Sequence, residues 1–146
     1  MSRTRGILFF LAAFPLMLAS AACGGGGETV EVTLQEFAIA LSDGSAGEGE
    51  ITFEATNDGP NDTHEFVIFR TELGPTELPT VETGAVDEEG EGLEAVDEIE
   101  DIAVGDTQTL TVDLEAGSYV LVCNIYDEDE QESHYQEGMR TSFTVV

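Results

Sequence analysis

The sequence contains almost no positive charge. Its 146 residues include four arginines, no lysine and no tryptophan, against 31 acidic residues, and the formal net charge is −27. A surface of this kind repels nucleic acid and anionic lipid headgroups, which argues against a nucleic-acid-binding role. It favours cationic partners, or surroundings of high salt in which the self-repulsion is screened.

Long apolar segments are also absent, apart from one at the N-terminus. Residues 6–18 are apolar except for Pro15, they follow Arg3 and Arg5, and small residues occupy positions 19–22. This order of charge, apolar stretch and small residues predicts an export signal over residues 1–22. The stretch is shorter than the ~20 residues that a transmembrane helix needs.

Cys23 follows the small residues directly, as in a prokaryotic lipoprotein signal, although Ser20 stands where that motif usually has leucine. We therefore predict that Cys23 is lipidated and that residues 23–28 form a glycine-rich tether. The protein would be exported and held by its lipid on the extracytoplasmic or periplasmic face of the membrane. The alternative is ordinary cleavage that leaves Cys23 as a thiol.

The chain that remains after this cleavage has the length of one domain, which we place at residues 29–146. It keeps all 31 acidic residues but only Arg70 and Arg140 as strong cations, so its formal charge is −29. Short segments alternate between apolar and polar residues, and none shows a long helical period. Many short strands separated by turn residues predict an all-β sandwich or barrel. The predicted strands lie at 30–34, 37–41, 51–56, 65–69, 109–114, 118–123 and 141–146.

Residues 71–101 break the pattern of strands. They contain twelve acidic residues, two prolines and few large apolar side chains. We predict a long acidic surface insertion with a short strand or helical turn near residues 93–99. Loops of this length inside a compact domain are uncommon and tend to be functional or mobile.

Side chains that bind soft metals are few in the chain without its signal. Apart from Cys23 they are His64, Cys123, His134 and Met139. Two imidazoles, one thiolate and one weak thioether are the donor set of a type 1 copper site. Other readings remain open for Cys123, which could be an inert buried thiol or could form a disulfide with Cys23.

Three motifs around these residues resemble the plastocyanin/azurin type of cupredoxin. The motifs are Asn57-x₆-His64-Glu65-Phe66, Gly117-Ser118-Tyr119-x₃-Cys123-Asn124 and His134-Tyr135-x₂-Gly138-Met139. The resemblance implies a Greek-key β-sandwich of about eight strands that binds one copper ion. By the same resemblance His64, Cys123 and His134 would be the equatorial ligands and Met139 the axial one. Asn124 would brace the site through hydrogen bonds outside the ligand set.

The loop between Cys123 and His134 departs from this family. Ten residues separate the two ligands, five of them acidic, where the family usually has only a few. The departure affects the loop and the docking surface around His134, and it removes no ligand.

The function implied is electron transfer, with copper cycling between Cu(I) and Cu(II) at the outer face of the membrane. We expect a monomer whose redox partner is basic, such as a cytochrome or oxidase domain. Copper storage or delivery is the alternative, and it ranks second because carriers often expose several Met or His residues. A metal-free sandwich ranks third. We expect no enzyme activity, because both histidines are already assigned to the copper.

Overall fold

The computed structural model describes residues 27–146, so the predicted signal and Cys23 lie outside the described residues. Eleven strands and one short helix make up this part of the chain. They are β1 (Glu28–Gln35), β2 (Ala38–Leu41), β3 (Ser45–Ala46), β4 (Gly49–Asn57), β5 (His64–Arg70), β6 (Glu94–Ile102), β7 (Thr107–Leu114), β8 (Gly117–Val122), β9 (Tyr126–Asp127), β10 (Glu132–Ser133), α1 (His134–Glu137) and β11 (Arg140–Val145). Within these residues, no helix has the length and apolar character needed to cross a membrane.

The strands form two mixed sheets. One has the order β2-β1-β4-β7, the other has the order β3-β11-β8-β5-β6, and β9 pairs with β10 in a separate two-stranded ribbon. The chain passes from one sheet to the other five times: on entering and leaving β3, between β4 and β5, between β6 and β7, and between β7 and β8. The predicted all-β sandwich is therefore confirmed. Strands β3, β9 and β10 have two residues each, and the remaining eight are longer.

Alternation along the strands builds the core between the two sheets. On β4, Ile51, Phe53 and Ala55 are fully buried, whereas Glu50 and Glu54 are exposed on the outer face. This is the pattern of a strand with one face packed and one face in water. From the first sheet the Phe53 ring meets two rings of the second, with centroids 5.4 Å from Phe66 on β5 and 5.3 Å from Phe143 on β11.

Strands β5 and β8 are buried on both faces because a further layer covers the second sheet. This layer comes from the insertion. Together with Tyr135 of α1, side chains of the insertion cover the outward residues of β5 and β8 and form a second apolar cluster. The buried members of this cluster are Val67, Phe69, Leu78, Val86, Val120, Val122 and Tyr135.

The C-terminal part of the predicted insertion is a full strand. β6 covers Glu94–Ile102 and pairs with β5 at the edge of the second sheet. The segment that lacks a named strand is therefore residues 71–93, where Thr80 and Val86 form an isolated β-bridge.

Candidate metal centre

Three strand ends and the short helix bring the predicted ligands to one end of the sandwich. His64 is the first residue of β5, and Cys123 directly follows β8, the antiparallel neighbour of β5. The start of one strand therefore lies beside the end of the other. His134 is the first residue of α1, and Met139 lies between α1 and β11, which is the other neighbour of β8.

The donor atoms of three of these residues form a small triangle. Nδ1 of His64 lies 3.3 Å from Nδ1 of His134 and 3.9 Å from Sγ of Cys123, and Nδ1 of His134 lies 3.4 Å from the same sulfur. A point equidistant from the three atoms lies about 2.1 Å from each. Bonds from imidazole nitrogen and thiolate sulfur to zinc, an ion similar in size to copper, are ~2.0–2.3 Å long. The triangle therefore has the dimensions of a three-ligand metal site.

Met139 is attached to the same ligands through its backbone. Its N–H donates to the carbonyl of His134 (3.0 Å), and its carbonyl accepts from the N–H of Cys123 (3.1 Å). The side chain is completely buried. His64, Cys123, His134 and Met139 are thus arranged as a type 1 copper site, with two imidazoles, one thiol and one thioether.

The turn that carries His134 and Met139 has defined ends. Ser133 caps α1, and its hydroxyl accepts from the N–H of Gln136 (3.4 Å). Gly138 ends the helix at φ +134°, and a Cβ at this position would lie 2.9 Å from the carbonyl oxygen of Phe37. Glycine is required here for both reasons, which explains the Gly138-Met139 part of the motif.

Burial controls the protonation of the donors. Desolvation, and next the neighbouring His134, lowers the pKa of His64, and desolvation lowers the pKa of His134. Neutral imidazoles are the form that binds a metal. Burial raises the pKa of the Cys123 thiol to about 12, although the N–H of Glu65 donates to its sulfur (3.4 Å). The thiol must lose its proton when a metal binds, and the positive charge of the metal offsets the cost of burying the thiolate.

Asn124 connects the Cys123 strand to the insertion. Its side-chain oxygen accepts from the N–H of Val86 (2.6 Å), and its side-chain nitrogen donates to the carbonyl of Val86 (3.1 Å) and to Glu88 (3.0 Å). Its backbone N–H donates to the Glu65 carboxylate (2.8 Å). The side chain therefore holds the insertion against the residue next to Cys123, and its hydrogen bonds go to no ligand side chain.

Asn57 supports the loop that leads to His64. It is fully buried, and its side-chain nitrogen donates to the carbonyls of Asp62 and Ile102, at 2.8 Å each. Its side-chain oxygen accepts from the N–H of Gly59 (2.8 Å). The Asn57-x₆-His64 spacing thus has a structural basis, since one amide holds both ends of the intervening loop.

Neither a protein-family model nor a curated protein matches the chain. Solved structures do. Reduced auracyanin from the photosynthetic bacterium Roseiflexus castenholzii superposes with a TM-score of 0.55 at 20% identity, over 84% of this chain and 99% of that one. An azurin from the obligate methylotroph Methylomonas sp. strain J gives 0.54 at 13% identity, over 83% and 99%. Auracyanin A, a "blue" copper protein from Chloroflexus aurantiacus, gives 0.50 at 15% identity, over 83% and 100%.

The chain has the cupredoxin fold. The resemblance that the three motifs indicate is confirmed at this level, and the group of two histidines, one cysteine and one methionine lies at one end of the cupredoxin sandwich.

The sequence alone assigns no role to three residues that lie around this site. The side chain of Glu36 is nearly buried and lies beside His64. The ring of Phe37 packs edge-on against His134, with centroids 5.2 Å apart. Burial raises the pKa of Glu65 to about 7, and this side chain accepts the Asn124 N–H. Glu36 and Phe37 lie between β1 and β2, and the sequence offered no sign that this turn reaches the ligands.

Proposed function

We propose that the chain is a type 1 copper protein that transfers single electrons at the outer face of a membrane. The observation that carries this is the triangle of two imidazole nitrogens and one thiol sulfur with sides of 3.3–3.9 Å, next to a buried methionine. Bound copper would supply a one-electron couple between Cu(I) and Cu(II). The auracyanin described as a "blue" copper protein shares the fold, which supports the proposal.

The residues of this chain hold the donor set in place. His64 begins β5, Cys123 directly follows the neighbouring strand β8, and the backbone of Met139 is hydrogen-bonded to both Cys123 and His134. Ligands fixed by sheet hydrogen bonds move little when the charge of the site changes. Because the ligands move little, the energy needed to reorganise the site at each electron transfer is small, which supports electron transfer as the function.

Burial of the donors supports electron transfer over the alternative of copper storage or delivery. His64, Cys123 and Met139 are 0% exposed, and His134 is 2% exposed. Handing over an ion requires an incoming ligand to reach it, whereas an electron can pass through packed side chains. Phe37 is partly exposed and its ring packs against His134. It therefore covers this ligand and is a packed side chain through which an electron could pass.

For the partner we propose a basic redox protein, such as a cytochrome or oxidase domain, met in a transient encounter. Acidic side chains surround the His134 end, and Asp62, Asp127 and Glu130 all act electrostatically on that histidine. Negative charge near the exit point for electrons would steer a cationic partner, and added salt would weaken the encounter. We further propose a monomer tethered by a lipid on Cys23, with no enzyme activity of its own.

The test is a titration of the chain without its signal with Cu(II), followed by visible absorption and electron paramagnetic resonance. Cys23→Ser would leave Cys123 as the only thiol. An intense blue band with narrow copper hyperfine splitting, reversible on reduction, is the expected result. Colourless binding, or binding of Cu(I) alone, would favour storage or delivery. Absence of binding would overturn the proposal.

The matched control is Cys123→Ser in the same background. A hydroxyl cannot supply the charge transfer from sulfur to copper that gives the colour, so the blue band should disappear. A variant that stays blue would remove Cys123 from the ligand set.

A further inference from the structure

Glu36 is an acidic residue in an unusual environment for this chain, because it is nearly buried. Its side chain is 9% exposed, in the turn between β1 and β2. One carboxylate oxygen, Oε1, accepts from the backbone N–H groups of Asn61 (2.9 Å) and Asp62 (2.5 Å). The other, Oε2, is buried without a hydrogen-bond partner. A buried carboxylate oxygen without a donor is costly, so this arrangement calls for an explanation.

His64 presents the complementary atom. Its Nδ1 faces Cys123 and His134, and its Nε2 lies 3.9 Å from Oε1 of Glu36. This Nε2 is also buried without a hydrogen-bond partner. Among residues 27–146, the buried side-chain nitrogen and oxygen atoms that lack a partner are these two, Oε2 of Glu36 and Nε2 of His64. One is an acceptor and the other is a donor when the ring carries its proton there.

We propose that Glu36 is a positioning residue of the metal centre, whose carboxylate accepts the proton on Nε2 of His64. The inference rests on the proposed copper site. Placing the proton on Nε2 leaves the lone pair of Nδ1 for the metal, and a carboxylate behind a ligating imidazole fixes its orientation and raises its basicity. The backbone N–H groups of Asn61 and Asp62 hold the carboxylate in turn.

The distance between Nε2 of His64 and Oε1 of Glu36 is too long for a direct hydrogen bond, so the proposed contact requires a change when copper binds. A direct hydrogen bond spans ~2.7–3.2 Å, so the 3.9 Å gap closes by a shift of about 1 Å or through one bridging water. Either contact places a negative charge behind the buried ligand. This charge stabilises Cu(II) more than Cu(I), because the more highly charged ion gains more from a basic ligand.

The variant that tests this is Glu36→Gln. The amide oxygen keeps the acceptor for Asn61 and Asp62, and the volume is unchanged, so the turn keeps its contacts while the charge is lost. We expect the reduction potential to rise, since Cu(II) loses stabilisation relative to Cu(I). The matched control is Glu31→Gln, which removes an exposed acid from β1. Equal shifts in the two variants would assign the effect to net charge and overturn the proposal.

A second measurement observes the proton itself. In ¹⁵N-labelled protein, long-range ¹H–¹⁵N spectra of the diamagnetic Cu(I) form and of the metal-free form report which ring nitrogen of His64 is protonated. We expect the proton on Nε2, shifted downfield, protected from exchange, and moved upfield in Glu36→Gln. A proton on Nδ1 in the Cu(I) form, or an Nε2 proton that does not respond to the substitution, would overturn the proposal.

The two proposals fail in different ways. If the wild-type chain is blue but Glu36→Gln changes neither the potential nor the Nε2 proton, only the role of Glu36 is lost. If the wild-type chain binds no copper, the proposed function is wrong, and the metal-free spectra still decide whether Glu36 accepts the proton of His64.

Discussion

Met139 is completely buried, and its backbone is hydrogen-bonded to both Cys123 and His134. Met139→Leu conserves volume and apolar character, so the loss of stability should stay below about 1.5 kcal/mol. Copper should still bind through the three remaining donors, but the reduction potential should shift because the axial ligand tunes the site. Voltammetry of the two proteins measures the shift. An unchanged potential would mean that the thioether is not a ligand.

At the residue scale, the sequence predicts what depends on rare side chains. His64, Cys123, His134 and Met139 were identifiable because the chain has so few donors of their kinds. Glu36 could not be found in this way, because it is one acid among 31 and its burial arises only when the turn after β1 folds over His64. Scarcity is visible in a sequence, whereas the environment of a common residue depends on tertiary packing.

At the scale of elements, alternation predicted the strands with one face in water and failed at β6. This strand lies at the edge of its sheet, and most of its residues are exposed acids, with Ile99 and Ile102 as its buried positions. Charged residues on an edge strand prevent pairing with other chains, but they remove the apolar signal by which a strand is recognised. The sequence therefore predicts no more than a short strand or helical turn near residues 93–99.

The insertion is anchored to the ligand turn by one tyrosine. The hydroxyl of Tyr135 donates to the carbonyl of Pro75 (2.9 Å) and accepts from the buried N–H of Leu78 (3.3 Å). In Tyr135→Phe the N–H of Leu78 loses its partner, so the free energy of unfolding should fall by about 1–3 kcal/mol. Urea denaturation measures the loss. Hydrogen exchange should accelerate first in residues 75–86, while the ring keeps the turn and the copper spectrum nearly unchanged.

The control for this substitution is Tyr126→Phe. The Tyr126 phenol is partly exposed and makes no hydrogen bond within the described residues, so its removal should cost little. Equal losses in the two variants would show that the hydroxyl of Tyr135 does not hold the insertion.

At the scale of the whole molecule, negative charge is left almost unneutralised. Within residues 27–146, Arg70 and Glu115 form the one ion pair that involves an arginine, at 2.7 Å. Burial, and next the nearby Glu88 and Glu100, raises the pKa of Glu98. An acid whose pKa is higher in the folded state destabilises that state once it ionises. The fold therefore loses stability as pH rises from the unfolded pKa of Glu98 through the folded one.

Salt and the substitution Glu98→Gln should both relieve this repulsion, and the substitution should also remove the cost of burying the carboxylate. The Debye length falls from ~10 Å at 0.1 M to ~3 Å at 1 M ionic strength, so NaCl should raise the melting temperature of the wild-type protein at pH 7. Glu98→Gln should stabilise it by a few tenths of a kcal/mol at low salt, because Glu98 is largely exposed, and by less at about 1 M. Thermal melts of both proteins at the two salt concentrations give the four values required. A gain from Glu98→Gln that does not shrink with salt would place its origin in burial of the carboxylate alone, and the repulsion from Glu88 and Glu100 would then contribute nothing at this site.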